Sequence, residues 1–149
     1  MENEKLSKQV FISHARNDYE LANYLAKELR RRGFNVWQDS EIKPGAEWTS
    51  QIETALENSD SMIAILNQNS YSSSYVRNEL EFALFNEDYK NRLLPVFIES
   101  SEESDFIRLP WVLTKLEYLK LPESDSLESM AHEIIDRFVS LLSEQESDK

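Results

Sequence analysis

Residues 73–84, SSYVRNELEFAL, place two carboxylates, Glu79 and Glu81, on either side of Leu80. Val76, Leu80, Ala83 and Leu84 recur at helical spacing, which predicts an amphipathic helix with one buried face. On such a helix a carboxylate is either part of a solvated edge or a group that takes part in chemistry. Residues two apart point about 200° away from each other, whereas residues four apart share a face. Tyr75 and Glu79 therefore look the same way, and Glu81 does not.

A second polar cluster, SHARND at 13–18, follows the apolar run QVFIS. Ser13, His14 and Arg16 offer a hydroxyl, an imidazole and a guanidinium close together. Asp18 is expected to cap the helix that follows, since aspartate is a favoured N-cap. Several chemistries are excluded by what is missing. The only glycines are Gly33 and Gly45, so there is neither a dinucleotide G-x-G-x-x-G nor a P-loop. The nucleophile elbow G-x-S-x-G is also absent. Without cysteine there is no disulfide framework, thiolate metal site or thiol nucleophile, and His14 and His132 alone make a poor metal set. A phosphoacceptor of the receiver type needs acids at the first and third strand ends, where Ser13 and Asn67 stand instead.

Those clusters need elements to position them. Short apolar runs at Gln9–Ser13, Phe34–Asp39, Ser61–Leu66, Leu93–Ile98 and Leu116–Leu121 read as strands, and SMIAIL (61–66) is apolar enough to be buried on both faces. Helical patterns fall between them: Tyr19 to Arg32, ended by Gly33; a helix through Ile52, Ala55 and Leu56; the segment after Ser73; and a closing helix from Leu127 to Leu142. Strands alternating with helices imply a three-layer α/β domain of flavodoxin-like or Rossmann-like type, a parallel sheet with helices on both faces. Ligands of such sheets bind at the carboxyl ends of the strands, near the point where strand order reverses. The loops after Ser13, Asp39, Leu66 and Ile98 are therefore the ones that matter. ESSEESDF (99–106) is expected to be a mobile loop.

A chain of 149 residues is expected to form one domain, burying roughly 68–70% of its unfolded surface. Its net charge of −12 repels phosphate backbones, so nucleic acid and anionic membranes are not expected partners. The cations Lys27, Arg30, Arg31 and Arg32 fit a helix C-terminus better than a docking patch. No run is apolar enough to span a membrane, and MENEKLSKQ lacks the apolar core of a secretory signal, so a cytoplasmic location is expected.

Taken in order, VFISHARND, FNVWQDSEIKPGAEW, SMIAILNQNSYSSSYVRNEL and LLPVFI resemble a Toll/interleukin receptor (TIR) domain of the bacterial type. The resemblance divides the chain into a flexible N-terminus (1–8), the TIR domain (9–142) and an acidic tail (143–149) expected to fray. It implies a five-stranded parallel sheet of flavodoxin-like order. It also implies an activity, since many bacterial, plant and some animal members cleave NAD+ at the nicotinamide–ribose bond. Products are nicotinamide with ADP-ribose or a cyclic ADP-ribose isomer.

Catalytic members carry Trp-x-x-x-Glu on the helix after the third strand, and here Tyr75-Val76-Arg77-Asn78-Glu79 matches it. Glu79 thereby takes the catalytic role, with Tyr75 in place of the tryptophan. A carboxylate suits that role because loss of nicotinamide leaves an oxocarbenium-like ribose, and nicotinamide departs neutral without a general acid. The resemblance further implies that Phe11, Ser13, His14, Ala15 and Arg16 line the site, with Arg16 suited to the pyrophosphate. The stretch Ser40–Trp48 resembles the family's BB loop, with Lys43 and Trp48 as its contacts to substrate. Trp37 and Phe97 are expected in the core, and Ser72–Ser74 at the helix cap. NAD+ is substrate, with no cofactor or metal implied. The implied partners are further copies of the chain in a homo-oligomeric TIR–TIR assembly and a separate sensor or effector, as in bacterial antiphage defence. Non-catalytic members instead act as assembly modules, or as effectors that interfere with host TIR signalling.

Overall fold

The computed structural model describes residues 6–38, 48–67, 74–99, 115–124 and 126–147, without the side chains of Arg16, Trp48, Thr49, Ser74, Tyr75 and residues 145–147. Asp39, Lys43 with the rest of 40–47, Ser72, Ser73 and the acidic segment 100–106 lie outside the described residues. Strands β1 (Val10–Ser13), β2 (Val36–Gln38), β3 (Ser61–Leu66), β4 (Leu93–Glu99) and β5 (Leu119–Pro122) form one sheet in the order β2-β1-β3-β4-β5. Every pairing is parallel, with Ser13 beside Ala64 and Leu66 beside Phe97. This is the flavodoxin-like order, whose switch point falls between β1 and β3.

Pleating sends successive strand residues to opposite faces. Val10, Ile12, Ile63, Ile65, Leu94 and Val96 pack under α1 (Tyr19–Arg31) and, in the closing stretch, α4 (Leu127–Ser147). Phe11, Met62, Ala64, Leu66 and Phe97 face α2 (Trp48–Asn58) and α3 (Ser74–Phe85). Both faces are thus covered, which is why β3 has no polar alternation.

Three boundaries differ by two residues or more from those expected. β2 begins at Val36 because the Phe34 amide is used elsewhere: it donates to the Leu29 carbonyl at 3.0 Å, and the Gly33 amide to Arg30 at 3.0 Å. These two bonds form a Schellman cap, which requires the left-handed φ of 92° that Gly33 adopts. β5 begins at Leu119 rather than Leu116, which instead packs against the α2–α3 cluster. α4 continues to Ser147, because SEQES contains no helix breaker. The cations ending α1 have local partners: Arg30 donates to the Val36 carbonyl at 3.0 Å, Arg31 pairs with Glu28 at 2.7 Å and Arg32 with Asp136 at 3.9 Å.

The start of the described chain is anchored. Asp60 accepts from the Ser7 hydroxyl at 2.7 Å and from the Lys8 amide at 3.0 Å, while Arg92 donates to the Asp60 and Leu6 carbonyls. Nearby, the buried Tyr89 hydroxyl donates to the Leu56 carbonyl at 2.6 Å. Burial pushes the Tyr89 phenol well above the ordinary tyrosine range, and Asp60, Asp88 and Glu79 push it the same way.

Two outcomes follow from this packing. Phe138, fully buried with its ring 6.0 Å from that of Phe34, anchors α4, and Phe138→Ala is expected to cost about 3–5 kcal/mol in denaturant unfolding. The fold holds Tyr89 protonated, so its contribution is complete below the unfolded value of about 10 and fades as pH rises past it. Urea midpoints measured across that range are expected to fall less steeply in Tyr89→Phe than in the parent chain.

Candidate active site

Strand alternation decides where Ser13 points. Two residues beyond Phe11, it shares that ring's face of the sheet, under α3 rather than α1. On α3, Val76, Glu79, Leu80 and Ala83 fall at i, i+3, i+4 and i+7, and all are buried. Glu79 thus occupies a place in the apolar stripe, with 2% of its surface exposed, whereas Glu81 is exposed. The Ser13 hydroxyl, itself 0% exposed, donates to Glu79 Oε1 at 2.6 Å. A short bond to a charged acceptor contributes about 1.5–3 kcal/mol, against the cost of taking a carboxylate from water. The pair lies at the carboxyl edge of the sheet, beside the switch point between β1 and β3.

His14 is buried, and its Nδ1 donates to the Ala15 carbonyl at 2.8 Å, since a carbonyl only accepts. Ala15 is half-buried, and Arg16 begins a short 3-10 turn ending at Asp18. Phe11 is fully buried and stacks on half-buried Trp37 with centroids 4.9 Å apart, so it supports the Trp37 ring from within. Tyr75 stands in the first turn of α3, one turn before Glu79, and Trp48 opens α2; their side chains and all of Lys43 are outside the described residues. Phe97 is in the core, its ring 5.4 Å from Tyr118.

Asp18 departs from its expected role. It makes no side-chain cap bond; its carboxylate instead accepts from Asn67 Nδ2 at 2.7 and 2.8 Å. That bond joins the loops after β1 and β3 across the switch point, 49 residues apart in sequence, with no local signal to reveal it. A groove of about 350 Å³ lies beside Trp37, lined by Gln9, Gln51, Thr54 and Asn58 among others, and shares no residue with the Ser13–Glu79 pair. Among the described residues no cluster of three His, Asp or Glu side chains could hold a metal ion, and no helix is long and apolar enough to cross a membrane.

A comparison with curated proteins returned no match. Among solved structures, the TIR domain of the Toll-related receptor TRR-2 from Hydra magnipapillata superposes with a TM-score of 0.63 at 19% identity, covering 89% of this chain and 96% of that one. A TIR-STING receptor from C. gigas, solved with 2',3'-cGAMP, gives 0.66 at 20% identity over 87% of this chain and 38% of its own. The RPS4 and RRS1 TIR domain heterodimer gives 0.59 at 18%, covering 89% and 97%. At these identities the likeness is one of fold. The family model described as "TIR domain" matches residues 10–135, nearly the whole described sheet and its helices, and the chain belongs to the TIR domain family.

Proposed function

We propose that this TIR domain cleaves NAD+ at the bond between nicotinamide and ribose, with Glu79 as the catalytic carboxylate. The observation that carries the reading is a single buried glutamate, in the family's catalytic position on α3, held at the carboxyl edge of the sheet by Ser13. A carboxylate there has one task, to stabilise the positive charge that develops on the ribose as neutral nicotinamide leaves. Water adding to the anomeric carbon, with loss of a proton, then gives ADP-ribose; attack by the adenine of the same molecule gives a cyclic isomer. Hydrolysis and cyclisation share the bond-breaking step and differ only in the group that reaches the sugar first. No separate cofactor enters this scheme. Arg16 and Lys43 are the cations proposed for the pyrophosphate, with Tyr75 and Trp48 as aromatic walls.

The second reading is a TIR–TIR assembly module. It is favoured by Phe85, 88% exposed on α3 beside Phe82 and Asn86. The RPS4–RRS1 heterodimer shows that a TIR domain of similar fold pairs with another. The two readings combine if copies of the chain complete each other's sites, in a cytoplasmic defence role with a separate sensor or effector.

Incubating the chain with NAD+ and separating the products by chromatography tests the reading. Glu79→Gln is expected to lower nicotinamide release by at least about 100-fold. Glu81→Gln, on the exposed face, is expected to leave the rate near that of the parent. Full turnover in Glu79→Gln, or no nicotinamide from the parent chain at high concentration with a crowding agent, overturns it. If assembly completes the site, specific activity is expected to rise with protein concentration over a hundredfold dilution series, roughly as bimolecular mass action requires.

A further inference from the structure

We infer that Ser13 is a positioning residue that acts through Glu79, holding its carboxylate in the orientation the reaction requires, rather than a residue that binds substrate. The inference rests on the proposed NAD+ cleavage and deepens it. Ser13 presents no surface to a ligand, being 0% exposed, and its one hydroxyl proton is directed at Glu79 Oε1 at 2.6 Å. The donor is rigid: β1 is paired with β3 through Ser13 and Ala64, and with β2 through Ile12 and Gln38. A serine side chain then has one torsion left to set.

The acceptor is the adaptable partner. Glutamate has three side-chain torsions, and in a stripe shared with Val76, Leu80 and Ala83 nothing apolar specifies where its carboxylate turns. The Ser13 hydroxyl is a fixed donor to it. Such a contact fixes the carboxylate that faces a charge developing only in the transition state, so its loss falls on kcat, while ground-state binding of the dinucleotide rests on other groups.

The test uses the full chain and the variants Ser13→Ala, Ser13→Thr, Glu79→Met and Ser13→Ala/Glu79→Met. In nicotinamide release, Ser13→Ala is expected to lower kcat about 10- to 100-fold, the equivalent of one hydrogen bond to a charged group, with KM changed less than about threefold. Ser13→Thr, which keeps the hydroxyl, is expected to recover most of that loss. A change in KM alone, a rate above the parent in Ser13→Ala, or a threonine no better than alanine overturns the inference. Denaturant unfolding of the parent chain, Ser13→Ala, Glu79→Met and the double variant provides a readout free of activity. The double variant is expected to be less destabilised than the sum of the single ones, and additivity overturns the inference. Non-additive unfolding in a parent chain that releases no nicotinamide leaves the hold on Glu79 standing and removes the NAD+ reading. Additive unfolding in an active chain does the reverse.

Discussion

A carboxylate inside a packed layer is tolerated only while something donates to it, and the arrangement around Glu79 follows from that constraint. One donor is a strand residue 66 positions earlier in sequence, and this bond ties the first strand of the sheet to the helix that follows the third. It forms only if β1 and β3 are neighbours, if their register places Ser13 beside Ala64, and if α3 lies on the face that Phe11 shares. Sheet order, strand register and helix placement thus converge on one contact of 2.6 Å. The same edge carries a second long-range tie, Asp18 to Asn67, so the two loops that flank the switch point are joined by side chains as well as by the sheet.

The opposite end of the sheet has a different character. There Asp60 gathers the hydroxyl of Ser7 and the amide of Lys8, and Arg92 spans the Asp60 and Leu6 carbonyls. These contacts are largely between side chains and backbone, the kind that fix a chain in place. At the carboxyl end Ser13–Glu79 and Asp18–Asn67 are contacts between side chains, and the proposed site is built on the first of them. The proposed site follows the general rule for parallel α/β sheets, in which ligands bind at the carboxyl edge because every helix N-terminus after a strand falls there.

Much of the fold was legible in local pattern. SMIAIL coincides residue for residue with β3, because a strand buried on both faces needs no alternation to be recognised. Alternation of strands and helices led to the layered parallel sheet. The differences came where one residue served two elements: Phe34 looked like strand but closes the α1 cap, and Leu116 looked like strand but packs beneath α2 and α3. In the site, the family's motif singled out Glu79 over Glu81, helical spacing agreed with it, and the two differ in exposure. A sharper signal lay in the same lines: Glu79 stands three residues after Val76 and immediately before Leu80, where an apolar side chain belongs. What no local pattern contains is its partner. Asp18 was legible only as a cap, because Asn67, which it meets instead, lies two strands further along the chain.

The alternation of β1 has a consequence for how this protein tolerates change in length. Val10 and Ile12 serve one layer, Phe11 and Ser13 the other. A single residue inserted or deleted within this short strand would exchange the two sets, sending the hydroxyl toward α1 and an apolar side chain toward the carboxylate. No substitution would have occurred at Ser13 or Glu79, yet the contact between them would be gone. In β1 the spacing of residues is therefore under the same constraint as their identity.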